Sequence, residues 1–517
     1  MSCEHNPSQM NPCNCCMSRS CGVTRREFMT AAGAVGFTLG ALGSISSSSA
    51  AEADYKPAPS KTLQVQPVLT IQTFTPRKQT SWRPWGGFHT KEDIAQEEQR
   101  IQQELKQLQK KSEFPLEIMP LATINRADQA AKLAQGPQDV TLMYAANVGL
   151  GVLEALTNPQ KWTIMFVRHK SGPVYLWYEI AHNRYLRKTV DEYGQPSMDY
   201  QDVVVDEYDD VLWRLRSLYG LKNTLGKRIV AVGGPSGWGV GGRKAPEITR
   251  NLWKMDLQTV SYKDLGEMIK TARQNTKLVK RCDHEAEQYL KQQGISLHTE
   301  TEFVKKAFVL NEVFKNLLDQ AKTDAFTINN CMGTIMPLSE TTACLPLSLL
   351  NDSGYTAYCE SDFVVIPSGI LLHYISSQPV FLNDPTYPHH DVVTLAHCTA
   401  PRKMDGKHYE PAKILTHFES DYGAAPKVEM KLGQKITMID PDFNCKRWLG
   451  FEGEIIDNPF MDICRSQIDV AIKGDCDTLV KETRGFHWMA SYGDYLKETG
   501  YALKKVGVDW MNLTKQA

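Results

Sequence analysis

The chain has 517 residues, 42% of them hydrophobic and 23% charged, enough apolar material for about three ordinary globular domains. Its formal net charge is −1 and no long basic or acidic run breaks it. That balance argues against nucleic acid as a partner, because phosphate binding needs a concentrated positive surface, and suits a small neutral substrate.

Residues 1–53 read as an export signal. Thr24-Arg25-Arg26-Glu27-Phe28-Met29 is a twin-arginine pattern, a weakly apolar run covers 30–43, and Ala51-Glu52-Ala53 has the form of an A-x-A cleavage site. The apolar run is too short, and too rich in Gly, Ala and Thr, for a membrane helix. The expectation is passage through the twin-arginine export machinery to the periplasm, with a mature chain starting near Asp54. Five cysteines (Cys3, Cys13, Cys15, Cys16, Cys21) precede the twin arginines, and no second pair follows them at zinc-site spacing. The other eight, scattered from Cys282 to Cys476, read as mostly buried thiols of a chain that folds in the cytoplasm before export. A metal could then be loaded before export.

Residues 54–64 are rich in Pro, Ser and Lys and read as a tether. A strand is predicted over 68–74, then a polar, aromatic loop with Trp82, Trp85 and Phe88. Thr90 with Asp93 makes a capping box for a helix through 111, with Ile94, Ile101, Leu105 and Leu108 on one face. Short apolar runs at 116–119, 140–144 and 163–167, with helical stretches among them, predict a parallel sheet covered by helices. A second such unit starts near Gly226, with strands at 228–232, 258–261 and 325–330, a helix opening at Tyr262 and a long amphipathic helix over 302–321. From about 376 onward short β-type segments such as 435–439 alternate with Gly, Pro, Asp and Asn. The predicted fold class is α/β. Two Rossmann-like domains with parallel sheets (65–225 and 226–375) precede a mostly antiparallel, β-barrel-like domain (376–517).

Gly237-Trp238-Gly239-Val240-Gly241-Gly242 matches G-x-G-x-x-G, the fingerprint of a nicotinamide oxidoreductase. In a dinucleotide fold those glycines sit directly after the strand and a helix opens at the third. Here Gly237 lies five residues past Val232 and Pro246 delays any helix. A flexible loop beside a small-molecule site fits the pattern better.

The second half concentrates acidic and His residues in short clusters flanked by apolar residues: Cys359-Glu360-Ser361-Asp362, Phe381-Leu382-Asn383-Asp384, Leu395-Ala396-His397-Cys398, Thr416-His417-Phe418-Glu419 and Gly485-Phe486-His487-Trp488. A carboxylate among apolar neighbours is costly unless it is paired or bound to a cation. Several carboxylates with one or two imidazoles make a site for a divalent metal, and carboxylate-rich ligation leans toward manganese or magnesium rather than zinc.

The order of these motifs resembles the C-terminal half of the L-fucose isomerase and L-arabinose isomerase superfamily over roughly 228–495. The most specific stretches are Asn351-Asp352-Ser353-Gly354-Tyr355-Thr356-Ala357-Tyr358-Cys359-Glu360-Ser361-Asp362, Pro379-Val380-Phe381-Leu382-Asn383-Asp384 and Phe486-His487-Trp488-Met489-Ala490-Ser491-Tyr492-Gly493-Asp494. The resemblance implies a metal held by Glu360, by Asp384 twenty-four residues later and by the distant His487. His397 is placed like the additional His of arabinose-type members. It further implies an aldose–ketose isomerase acting on a free monosaccharide through an enediolate, with Mn2+ (or Mg2+ or Co2+). Glu360 and Asp384 would share the proton transfers, Glu360 taken as base and Asp384 as partner acid, with the reverse assignment left open. A homotrimer or homohexamer is implied too, with the N-terminal domain of one subunit over the site of another.

Among the remaining candidates, read as substrate-binding, Asp362 competes with Glu360 for the inward position: strand side chains alternate, so residues two apart share a face and both could point at the site. His417 and Glu419 either line the site or pair locally, and Trp82 and Trp85 either stack on a sugar ring or pack ordinarily. His389 and His390 read as exposed. The alternative function is an exported, non-catalytic sugar-binding protein with the same fold.

Overall fold

The computed structural model describes residues 56–192, 194–195 and 197–514. The export signal read at 1–53 lies outside the described residues.

The first sheet is built from runs apolar enough to be buried on both faces, as parallel strands under helices must be. It comprises β1 (Leu63–Thr70), β2 (Leu116–Ile118), β3 (Ala122–Ile124), β4 (Val140–Ala145), β5 (Trp162–Val167) and β6 (Val203–Val205). The order is β2-β1-β4-β5-β6, with β3 also on β1, and every pairing is parallel. The strand expected over 68–74 starts earlier, at Leu63, inside the segment read as a tether. Two features explain the shift. The buried amide of Gln66 is satisfied by donating to the carbonyls of Pro67 and Pro120 at 2.9 and 2.8 Å. Pro67, which has no N–H to give, falls at the break between the β2 partners (63–65) and the β3 partners (68–70).

The capping box at Thr90 is present. Its hydroxyl accepts from the Asp93 N–H at 3.1 Å, and the Asp93 carboxylate accepts from the Thr90 N–H at 2.8 Å. The helix Lys91–Lys111 buries Ile101, Leu105 and Leu108, and with them Glu97. Glu97 is tolerated because Arg168, just past β5 and fully buried, donates to it at 2.6 Å, and the Tyr175 hydroxyl donates to the same oxygen at 2.6 Å.

The second sheet holds β7 (Arg228–Val232), β8 (Asp256–Val260), β10 (Ala325–Ile328) and β11 (Thr356–Cys359), parallel, in the order β11-β10-β7-β8. The intervening β9 (Ile295–Leu297) leaves this sheet. It pairs with β14 (Ala412–His417), itself antiparallel to β15 (Tyr422–Val428). The long amphipathic helix is Thr301–Ala321.

The C-terminal region is a closed antiparallel barrel of six strands: β12 (Phe381–Pro385), β13 (Val392–His397), β16 (Lys435–Pro441), β17 (Arg447–Asp457), β18 (Ser466–Lys473) and β19 (Trp488–Tyr492). Neighbours run β16-β19-β12-β13-β18-β17, and β17 closes back on β16. Closure removes the open edges that an antiparallel sheet would otherwise expose. β20 (Asp509–Asn512) lies parallel to the start of β17. The expected α/β class, with two parallel sheets and a barrel-like C-terminal part, is therefore the observed one. Among the described residues no helix is long and apolar enough to cross a membrane, and the eight cysteines from Cys282 to Cys476 are free thiols.

Candidate metal centre

The carboxyl edge of the second parallel sheet meets the mouth of the barrel, and four candidate side chains converge there. Glu360 follows β11 directly, Asp384 is on β12, His397 ends β13 and His487 immediately precedes β19. β12 lies between β13 and β19, with Asp384 opposite Ala396 and Asn383 opposite Trp488, so the barrel ladder brings three of the four together.

Glu360 arrives by a different route. It and Ser361 both have left-handed backbones, with φ of +65° and +49°. Non-glycine residues adopt that region at a cost of order 1–3 kcal/mol each, so the surroundings must hold the turn. They do so through Ser361 N–H donating to Thr327 Oγ1 at 3.2 Å, Ser236 N–H to the Ser361 carbonyl at 3.1 Å, and Phe363 N–H to the Ser236 carbonyl at 3.1 Å. Ser236 belongs to the Gly-rich loop after β7. In that loop Gly237 and Gly242 abut, and a Cβ on either would overlap the backbone of the other. These glycines serve the loop's own folding; a 3-10 turn already starts at Gly241 and runs to Lys244, earlier than Pro246 alone suggested, and the α-helix proper opens at Ala245 with Pro246 in its first turn.

His487 is the hub. Its Nε2 lies 3.3 Å from Glu360 Oε2 and 3.2 Å from Asp384 Oδ1, while its Nδ1–H donates to Asp362 Oδ2 at 2.8 Å. His397 Nε2 lies 4.0 Å from Glu360 Oε1, and its Nδ1 is 2.9 Å from Thr399 Oγ1. One ligand atom each from Glu360, His397 and His487 falls within 4.8 Å of the others. Both imidazoles are nearly fully buried, whereas Glu360 and Asp384 are part-exposed and leave a way in.

Burial tends to raise the Glu360 carboxyl, but the close approach and charge of His487, helped by His397, hold it below its usual value. At Asp384 burial wins over the two imidazoles, and Glu360 adds to it, so that carboxyl is pushed up. Burial tends to lower His487, yet Asp362, Glu360 and Asp384 outweigh it and keep the imidazole well above its ordinary range. The site thus favours positive charge at Nε2, which a proton or a divalent cation can supply.

The residues present fit a cation. Asp384 Oδ1 and His487 Nε2 are buried, close together and without a hydrogen-bond partner. Donor atoms 3.2 to 4.0 Å apart have the spacing of neighbouring ligands around an ion bound at about 2.1 Å. With Nδ1–H committed to Asp362, the neutral His487 presents its Nε2 lone pair to such an ion, the arrangement that fixes tautomer and ring orientation in metal-ligating histidines. The buried group of Glu360, His397 and His487 can hold a metal ion.

No protein-family model and no curated protein matches the chain. Function rests on the site's chemistry.

The other candidates fall elsewhere. Asp362 was expected to share the Glu360 face by strand alternation, and it does not. β11 ends at Cys359, and the left-handed pair turns Asp362 behind His487, where it is 2% exposed. Its oxygens accept from His487 Nδ1 and from the backbone N–H of Trp238 and Val364, both at 3.1 Å. Asp362 is a positioning residue. Asp362→Asn is expected to weaken cation affinity about 10- to 100-fold, read by titration calorimetry with Mn2+. An unchanged affinity would deny it that role.

His417 ends β14 and is not among the residues that converge on His487; its Nδ1 lies 3.1 Å from Ser420 Oγ, and Glu419 is exposed beside it. His389 and His390 are exposed. Trp82 carries Arg83 over its ring at 5.1 Å and Trp85 is 55% exposed. No contact among the described residues joins either tryptophan to the cluster within this chain.

Three contributors escape a linear reading. Trp238 reaches His487 edge-on at 5.5 Å and stacks on Phe486 at 4.0 Å. Thr399 orients His397, an i, i+2 hydroxyl that the Thr399 position alone hardly signals. Asp440 on β16 accepts from the N–H groups of Arg484 and Gly485 at 2.9 and 2.7 Å, anchoring the segment that leads to His487. Burial pushes the Asp440 carboxyl up to about 7 against those two hydrogen bonds. The folded protein therefore keeps a proton that the unfolded chain has already lost. This group's contribution is fully present below about pH 4 and is lost as pH rises through about 7, at no more than about 1.4 kcal/mol per pH unit. Urea unfolding between pH 5 and 7 is expected to show a shallower decline in Asp440→Asn than in the wild type, and equal slopes would place that dependence in other groups.

Proposed function

We propose that this protein is a divalent-cation-dependent isomerase that interconverts the aldose and ketose forms of a free monosaccharide. The observation that carries the reading is the convergence of Glu360 Oε2 and Asp384 Oδ1 on His487 Nε2, at 3.3 and 3.2 Å, with His397 beside them. The motif order over 228–495, which resembles the fucose and arabinose isomerases, points the same way.

The reaction moves a hydrogen between C1 and C2 of an open-chain sugar. A proton next to a carbonyl is only weakly acidic, so the site must offer a base and stabilise charge developing on oxygen. A bound cation, Mn2+ by preference for carboxylate-rich donors and Mg2+ or Co2+ as substitutes, would supply Lewis acidity toward two neighbouring sugar oxygens. The chain's own carboxyls supply the proton movements. Glu360, held ionised, takes the C2 proton of the aldose; the C–H electrons form the C1–C2 double bond of the enediolate, and O1 takes a proton from Asp384. Asp384 then removes the O2 proton while Glu360 returns its proton to C1, giving the ketose. Two carboxyls whose proton affinities are driven apart suit these two roles.

The proposal extends to the free sugar as substrate, to twin-arginine export to the periplasm, and to a homotrimer or homohexamer. In that assembly Trp82 and Trp85 of one subunit would lie over the centre of another. Protein stripped of metal by chelation, then supplied with Mn2+ and a panel of free aldoses, is expected to give ketose separable by chromatography. Sugar-dependent thermal stabilisation with no product would reject the isomerase and identify the non-catalytic sugar-binding alternative.

A further inference from the structure

Beside the cation cluster lies a pair of thiols that the proposed chemistry does not use. Cys359 ends β11 and Cys331 opens the turn after β10 at Cys331–Ile335; the Cys359 thiol donates to Cys331 Sγ at 3.6 Å. The sulfurs are in van der Waals contact, and a disulfide bond of about 2.05 Å needs them only about 1.5 Å closer. The two strands are neighbours in the parallel sheet, with Ile328 opposite Cys359, so the cross-link would join segments the sheet already holds together. Exposure differs usefully. Cys331 is part-exposed, whereas Cys359 is 4% exposed and continuous with the left-handed Glu360 turn.

We propose that Cys331 and Cys359 are a redox-active dithiol that closes to a disulfide and thereby shifts the Glu360 turn and weakens cation binding. The second half of this inference rests on the cation reading of the centre. The oxidant is a small-molecule disulfide. The Cys331 thiolate attacks one of its sulfurs, forming a mixed disulfide and releasing one thiol. Cys359 then attacks the Cys331 sulfur, its proton passing to the departing thiolate, which completes the protein disulfide and releases the second thiol. The protein loses two protons and two electrons, and the small disulfide is reduced to two thiols. Cys359 needs no solvent access because its step is intramolecular. The sulfur displacement is transmitted through one peptide link to Glu360, and misplacements of about 1 Å in a preorganised site are costly.

The full-length protein is equilibrated in oxidised or reduced glutathione, digested under non-reducing conditions and mapped by mass, and its Mn2+ affinity is measured in both states. The expected result is a 331–359 linkage in the oxidised sample and an Mn2+ affinity lowered about tenfold or more, restored by reduction. Cys331→Ser is expected to bind Mn2+ as the reduced wild type does and to lose the oxidant response. Absence of the linkage while other thiols oxidise, or equal affinity in the two states, overturns the inference. Failure of the reduced protein to bind Mn2+ counts against the cation centre and the coupling, leaving the mapped linkage to decide the dithiol itself.

Discussion

Glu360→Gln is expected to weaken Mn2+ binding by about 100-fold or more and to abolish aldose–ketose interconversion, with the fold retained. The substitution is nearly isosteric, so the left-handed turn and its hydrogen bonds to Thr327 and Ser236 have no steric reason to change. What is lost is charge. Glu360 is one of two carboxylates facing His487 Nε2, and an amide would bring a weaker oxygen ligand, or an N–H2 that repels a cation outright. Titration calorimetry separates two contributions. A protein that binds Mn2+ normally yet turns nothing over would make Glu360 a base without a ligand role. Undiminished turnover would remove the proposed mechanism.

Arg168→Met is expected to destabilise the protein by roughly 3–5 kcal/mol, because it strands Glu97 as a buried charge without its main partner. Arg168 is fully buried and serves two carboxylates, Glu97 at 2.6 Å and Glu104 at 2.6 Å, with Ser171 Oγ at 3.0 Å completing its donors. Methionine fills much of the volume but satisfies none of these acceptors, and Glu97 would keep the Tyr175 hydroxyl and the rim contact with Arg100 at 3.5 Å. Urea denaturation measures the loss. Adding Glu97→Gln to the variant is expected to recover part of it, since a neutral amide at that position no longer needs a counter-charge. Wild-type midpoints in the single variant would show that the network contributes little.

Local chemistry was legible where it is carried by a few adjacent residues. The Thr90–Asp93 box starts its helix where expected, and the apolar run 228–232 is β7. The candidate ligands stood out as carboxylates and imidazoles among apolar neighbours, because such groups are costly there without a partner. Pairing Glu360 with Asp384 came from motif order. Alternation failed at Asp362 for an identifiable reason: the period-two rule holds only while the backbone stays extended, and two consecutive positive φ values end that condition at Glu360. Nothing in the flanking residues announces such a turn, since Glu and Ser disfavour it, and what holds it is a hydroxyl on β10 and a loop more than a hundred residues upstream.

The amino-acid order by itself determined the α/β class, the succession of two parallel units and a β-rich third, and the kinds of side chain available for cation chemistry. Periodicity, caps and turn residues act over a few positions, so they are written in the linear chain. Only the tertiary structure decided which side chains meet. β9 leaves the second unit's sheet to pair with β14, β17 returns to β16 and closes the barrel, and His487 comes to rest between Asp362 on one nitrogen and Glu360 with Asp384 on the other. Apart from the β16–β17 hairpin, those contacts join residues separated by more than a hundred positions, and they are set by burial and by the directional demands of hydrogen bonds across the whole molecule.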